Sequence, residues 1–290
     1  PGKHMLQKLH RLFTRKKIKR EFREYGYEIE QFPLGNAGMV SVAQWKHPFY
    51  HPLRLDQGLV DFYRRFLRPG DMAIDIGAHA GDTTIPMAIA AGKDGLVLAL
   101  EPNRYVFKIL EVNAGLNKEI ANIHPLCIAA TAEDKTLQFD YSDASFCNGG
   151  YLSSRKVQDK HHKYTLEVEG RNLESLLRKE YAAFLPKLRF IKVDAEGYDK
   201  EIIRNLQPLI REYNPVLLSE CNRYLVQSER EELFDVMSDG GRSLYMAGPQ
   251  EGRASDFRTV LDTPLRKSDL VKQAHFDILS LPPGWDQRRD

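Results

Sequence analysis

Met72-Ala-Ile-Asp-Ile-Gly-Ala-His-Ala-Gly-Asp-Thr-Thr84 is the stretch whose reading decides the fold. The apolar residues at 72, 73, 74 and 76 read as a strand buried on both faces, and the run stops at Gly77. Gly77 and Gly81 allow a tight turn and close approach of the backbone to a ligand, and Asp82 or Thr83 is placed to cap a helix running on from Ile85 to Ala91. A strand, a glycine-bearing turn and a helix N-terminus make the nucleotide-binding corner of α/β proteins. The dinucleotide fingerprint is GxGxxG, whereas the spacing here is Gly77-x-x-x-Gly81. That departure points to a smaller ligand without a pyrophosphate.

Working outward, β and α patterns alternate. A helix is expected over Asp56 to Leu67, closed by Pro69-Gly70, ahead of the quoted strand. After it come a helix over 83–91, a strand Leu96 to Leu100, a helix Tyr105 to Leu116 and a strand Ile120 to Ile128. Leu137 to Tyr141 and Tyr164 to Val168 are shorter strand candidates, and Asn172 is placed to cap a helix from Leu173 to Tyr181. Leu188 to Val193 is a further buried strand, followed by a helix from Tyr198 to Leu206, a strand Val216 to Leu218 and a helix over 228–237. Strands Ser243 to Met246 and Phe276 to Leu281 close the series, the last stopped by Pro282-Pro283. Crossovers of this length imply a Rossmann-like α/β domain over 56–290, with about seven mostly parallel strands and helices on both faces. Residues 1–55 read as a basic leader and a short hairpin within Tyr25 to Trp45.

With 290 residues, 42% hydrophobic and 28% charged, the chain is long enough to bury one sizeable core. A net charge of +2 sets no global demand for nucleic acid, which is not expected as a partner. Cys127, Cys147 and Cys221 form no CxxC pair and suit a reducing compartment. No apolar run reaches the roughly 20 residues of a membrane span and no secretory core opens the chain, so a cytoplasmic location is expected. Residues 6–23 are strongly basic, with Leu6, Leu9, Phe13 and Phe22 able to line one helical face. A solvated leader is one reading and peripheral contact with a membrane or polyanion the other. His47 and His51 stand four apart, but Pro48 between them rules out helical metal-ligand geometry.

In an open α/β sheet, ligands bind beyond the carboxyl ends of the strands. Asp75, Glu101, the pair Asp194 and Glu196, and Glu220 all lie at such ends. Glu101 follows Asp75 at the spacing of an acid that accepts hydrogen bonds from an unphosphorylated ribose diol. Ser142 to His162 is long, polar and without periodicity, and its Ser145 and Asn148, with Glu220, are candidate substrate contacts. His161 and His162 in the same loop are expected at the surface.

Several of these pieces resemble the FkbM family of class I S-adenosylmethionine-dependent methyltransferases. They are Arg68-Pro-Gly-Asp-Met-Ala-Ile-Asp-Ile-Gly-Ala-His-Ala-Gly81, Leu100-Glu-Pro-Asn103, Asn113 with Asn117, Ile191-Lys-Val-Asp-Ala-Glu-Gly197 and Leu218-Ser-Glu220. The chain departs from the family at His79, where Asn is frequent, and at Asp199, where Glu is frequent. The resemblance implies S-adenosyl-L-methionine as cofactor, held by Asp75, Gly77, His79, Gly81, Glu101, Pro102 and Asn103. It also implies O-methylation of a hydroxyl on a sugar, glycan or polyketide-type small molecule. In-line methyl transfer needs an aligned acceptor oxygen and a group that removes its proton. Asp194 or Glu196 is expected as that base, with Lys192 on the same strand face positioning or balancing it. His79 is a further candidate base. Asp194, Glu196 and Glu220 could also take a divalent cation, although no metal is assigned. Competing readings are an RNA ribose 2′-O-methyltransferase and a non-catalytic binding protein on the same fold.

Overall fold

The computed structural model describes residues 17–147, 150–154, 163–247, 263–271 and 275–285. The basic leader up to residue 16, Asn148 and the pair His161 and His162 lie outside the described residues. In chain order the elements are β1 (Tyr27–Leu34), β2 (Gly38–Trp45), α1 (Gln57–Arg64), β3 (Met72–Ile76), α2 (Thr84–Ala91), β4 (Leu96–Leu100), α3 (Arg104–Gly115), β5 (Ile123–Leu126), β6 (Ala129–Thr131), β7 (Lys135–Tyr141), β8 (Tyr151–Leu152), β9 (Tyr164–Asn172), α4 (Leu173–Glu180), β10 (Leu188–Val193), α5 (Asp199–Tyr213), β11 (Val216–Cys221), α6 (Gln227–Ser238), β12 (Ser243–Ala247) and β13 (Phe276–Leu281).

A mixed seven-stranded sheet carries the fold, in the order β12-β13-β11-β10-β3-β4-β5. The pairs β11-β10, β10-β3, β3-β4 and β4-β5 are parallel, and β13 runs antiparallel to both of its neighbours. Every residue of β3 and β4 is buried, as uninterrupted apolar runs require when both faces are covered. Ala73, Val97 and Phe190 pack under α1 and α2 on one face, while Ile74, Leu98 and Ile191 pack under α4, α5 and α6 on the other. Asp56 and Asn172 cap α1 and α4 by accepting from the backbone N–H groups of Leu59 and Ser175, each at 3.0 Å.

Three expectations are corrected. The stretch 120–128 does not form one strand: β5 ends at Leu126, and the chain then leaves the main sheet to start β6. β6, β7, β8 and β9 form a separate four-stranded sheet in the order β6-β9-β7-β8 that stands beside the carboxyl end of the main one. The helix after β10 continues past Leu206 and through Pro208 to Tyr213, because Ile202, Ile203, Leu206, Leu209 and Ile210 form a continuous buried stripe. Burying five large apolar side chains outweighs the roughly 3 kcal/mol penalty of an interior proline. Asn214, at φ 50°, ends that helix in the left-handed region.

The hairpin of β1 and β2 is fastened to the main body by two side chains of the α3 segment that mimic a neighbouring strand. Asn113 accepts from Ala43 N at 2.7 Å and donates to Ala43 O, and Asn117 accepts from Ser41 N at 2.9 Å and donates to Ser41 O. Asn113 Nδ2 also donates to Ala80 O at 2.7 Å, which ties the hairpin to the glycine turn. The described end of the basic leader is largely exposed but touches the body at several points. Ala144 N donates to Lys19 O, Arg23 N donates to Ser145 Oγ, and Phe22 packs edge-on against Tyr105. Among the described residues, no helix is long and apolar enough to cross a membrane.

Candidate functional site

The turn after β3 is built by contact between strand ends. Gly77 N and Ala78 N both donate to Leu100 O, at 3.0 and 2.9 Å, and Asp194 N donates to Ile76 O at 2.9 Å. Gly77 has φ +81°, and a Cβ there would sit 2.0 Å from Asp194 O, so no side chain fits. Gly81, at φ +102°, is the second left-handed glycine of the turn. Asp75 is fully buried behind it and does not line a cavity. Its Oδ2 accepts from Thr83 Oγ1 at 2.8 Å and Thr84 Oγ1 at 2.6 Å. Neither Asp82 nor Thr83 caps α2 through its side chain as expected. Thr83 is the N-cap residue, but its hydroxyl turns inward to Asp75.

A cavity of about 340 Å³ opens over this turn, within the usual size range for small-ligand sites. Gly77, His79, Glu101, Pro102 and Asn103 line it on one side, and Ala129, Leu137 and Tyr141 of the small sheet face them. Glu101 is 7% exposed and accepts from His79 N at 2.9 Å and Asn103 N at 2.8 Å, leaving lone pairs of its carboxylate for a ligand. Asn103 caps α3 by accepting from Tyr105 N and donates to Phe146 O. His79 has φ 47°, lies parallel to Tyr50 at 5.8 Å and has its Nε2 3.2 Å from Cys147 O. Phe146 and Cys147 therefore brace the cavity through their carbonyls. Ser145, expected as a substrate contact, lines neither cavity because its hydroxyl is engaged with Arg23 N and Glu21 O.

A second cavity, of about 640 Å³, lies over β10, β11 and β13. Tyr50, His51, Arg54, Glu220, His275 and Asp277 line it. Three residues, His79, Asp82 and Asp194, line both cavities, so the two meet between them. Lys192 is 8% exposed and sits beneath that junction. Its Nζ is 3.2 Å from Asp194 Oδ2 and 3.5 Å from Asp75 Oδ1. Burial disfavours its ammonium, but Asp194 and Asp75 outweigh burial and hold Lys192 firmly protonated. Among the described residues, no group of three or more His, Cys, Asp or Glu is arranged to hold a metal ion.

The neighbouring acids are hard to ionise. Burial, then Asp194 and Glu220, push Glu196 up to about 8, and burial with the same two acids pushes Asp277 up to about 7. Such acids keep a proton in the folded protein that the unfolded chain has already released. Their stabilising effect is therefore complete below the unfolded value of about 4 and fades as pH rises through the folded one. The ligand-free protein is expected to lose thermal stability from about pH 5 to pH 8, and Glu196→Gln to flatten that slope, as a series of melting temperatures would show.

Sequence reasoning missed Tyr50, Tyr141, Asn222 and Asp277. Tyr141 and Asp277 stood in expected strands, but which cavity a strand residue faces depends on sheet order. Tyr50 lies in a proline-flanked stretch with no periodic signal.

The sequence matches the family described as Methyltransferase FkbM domain over residues 75–244. The chain belongs to the FkbM methyltransferase family. The methyl donor that membership of this family implies is S-adenosylmethionine. Among solved structures, the FkbM methyltransferase of Methylobacillus flagellatus KT is 12% identical with a TM-score of 0.43, the match covering 76% of this chain and 50% of that one. The chain thus spans half the length of that FkbM structure. Aeropyrum pernix fibrillarin with natively bound S-adenosyl-L-methionine is 11% identical, with a TM-score of 0.43 and coverage of 90% and 99%. A SAM-dependent O-methyltransferase of Thermotoga maritima is 13% identical, with a TM-score of 0.40 and coverage of 89% and 78%. No functionally curated protein matches the sequence significantly.

The first cavity fits this donor chemically. It offers a carboxylate at Glu101 for hydroxyl donors, an apolar wall from Leu100, Ile128 and Ala129, and the acid Glu196, whose ionised form suits a positive sulfur. Among the described residues, no lysine or arginine lines it, as a ligand without phosphate allows.

Proposed function

We propose that this FkbM-family protein is an O-methyltransferase for a hydroxyl on a small molecule or glycan, with the donor in the first cavity, the acceptor in the second and Asp194 as the general base. The observation that carries this reading is the meeting of the two cavities at His79, Asp82 and Asp194, with Lys192 bonded to the last of these. When bound, S-adenosylmethionine supplies an electrophilic methyl group on a positively charged sulfur. An acceptor hydroxyl presented at the junction gives its proton to the Asp194 carboxylate as its oxygen bonds to the methyl carbon and the carbon–sulfur bond breaks. Lys192, already protonated, keeps Asp194 oriented through its 3.2 Å contact and neutralises the charge of Asp75 behind it. Glu196 lines the donor cavity alone, which favours Asp194 over Glu196 as base.

The second cavity sets the acids Asp82, Asp194, Glu220 and Asp277 beside Arg54, Lys192 and three histidines, a mixed lining that offers hydrogen-bond donors and acceptors to a polyhydroxylated acceptor. Transfer of a labelled methyl group from S-adenosylmethionine into fractionated metabolites and glycans tests the reading. Label recovered in an alkali-stable methyl ether supports it, and label recovered only in RNA or on nitrogen overturns it. On the donor side, Glu101→Gln keeps the side-chain size but weakens acceptance from His79 N, Asn103 N and a ribose diol. It is expected to weaken S-adenosylmethionine binding by about tenfold or more in titration calorimetry.

A further inference from the structure

Asn222 follows directly on β11, is 4% exposed, and stands between the two cavities. Its Nδ2 donates to Glu196 Oε2 at 3.0 Å and to Glu220 Oε2 at 2.9 Å. Its Oδ1 accepts from Tyr224 N at 3.0 Å, which sets the amide's orientation, since both carboxylates need the NH₂ side. Glu196 lines the first cavity and not the second, while Glu220 lines the second and not the first. One buried amide thus spans the partition between them. Nothing in the motifs marked this residue.

We infer that Asn222 is a positioning residue of the methyl-transfer site, holding Glu196 toward the donor and Glu220 toward the acceptor through the two N–H bonds of a single side chain. The inference rests on the donor and acceptor assignment proposed above. Glu196 has φ 50°, in the left-handed region that non-glycine residues enter infrequently. The groups facing Glu196 are Asp194 just beyond β10, Glu220 from β11, Tyr141 from β7, Tyr151 from β8 and Arg223 from the turn beyond β11. Burial, Asp194 and Glu220 oppose its ionisation, whereas hydrogen bonds from Asn222 and Tyr151 favour it. Asn222 therefore helps make the donor-side acid negative, the form that attracts a sulfonium but gains nothing from a neutral thioether.

The test is calorimetric titration of the full chain, without acceptor, with S-adenosylmethionine and with its demethylated product, from pH 6.5 to 9.5. Asn222→Leu keeps the volume and removes both donors. It is expected to weaken the sulfonium-bearing donor by about tenfold at pH 7, narrowing to within about threefold at pH 9.5, where Glu196 ionises unaided. The thioether product is expected to change by less than about threefold throughout, because its sulfur carries no charge for Glu196 to read. Equal losses for both ligands at every pH, the result of a merely structural role, would overturn the inference, as would unchanged binding. Asn222→Ala adds no branched bulk and is expected to show the same pH-dependent loss, so it decides the matter if the leucine variant does not fold. Failure of the wild-type protein to bind either ligand would overturn the donor assignment and this inference together. Wild-type binding with pH-independent variants overturns this inference alone.

Discussion

Asp194→Asn is expected to lower kcat by about 10²–10⁴-fold while leaving the affinity for S-adenosylmethionine within about threefold of wild type. The substitution keeps the shape of the side chain and an oxygen for Lys192, but an amide cannot take the acceptor's proton. Lys192 stays charge-balanced because Asp75 Oδ1 remains 3.5 Å from its Nζ. The carbonyl of residue 194 still packs against Gly77, so the donor turn is untouched. Single-turnover transfer of labelled methyl measures the chemical step, and calorimetry measures the donor. A variant that retains kcat within a factor of about ten would remove Asp194 as the base. Collapse of donor binding with turnover would instead make it a donor-holding residue.

Gly77→Ala is expected to destabilise the protein by roughly 3–6 kcal/mol, combining a left-handed backbone at an alanine with overpacking. The new Cβ would lie 2.0 Å from Asp194 O and 3.0 Å from its carbonyl carbon, both backbone atoms on a central strand end. Relief requires separating β3 from β10, which are paired from Met72 to Ile76 with one register shift between Leu188 and Phe190. Denaturant unfolding would show the loss, and S-adenosylmethionine would no longer raise the melting temperature of the folded remainder. Gly81→Ala is expected to be milder. Its nearest obstacle is Leu110 Cδ1 at 3.3 Å, the end of a flexible side chain, although its φ of +102° remains unfavourable. Equal stability of the Gly77 variant and wild type would show that the turn can open without harm.

Much of this was legible along the chain. The apolar runs at β3, β4 and β10 are long enough and clean enough to mark strands buried on both faces, and their acidic ends marked the ligand side of the sheet. Glu101 and the segment from Lys192 to Gly197 were found for the same reason, since each acid interrupts an apolar run where a strand leaves the core. The helix of α5 was cut short at Leu206 because proline carries a local signal and burial does not. Of the four-stranded sheet only β7 and β9 were read as strands, and their sheet was not, because hydrogen-bond partnership between distant segments leaves no mark on local periodicity.

The sequence by itself determined the α/β architecture, the glycine turn whose spacing departs from the dinucleotide fingerprint, and the family to which those motifs belong. Each depends on residue type and short-range spacing, which the covalent chain specifies directly. Tertiary structure alone decided that the two cavities meet at His79, Asp82 and Asp194, that the segment from Lys19 to Arg23 engages Ala144 and Ser145, and that one amide at Asn222 joins Glu196 to Glu220. These juxtapositions arise where β10 and β11 pair and end side by side. Side chains from separate strand ends meet only once the sheet has formed, and burial there shifts their proton affinities away from anything residue type alone would imply.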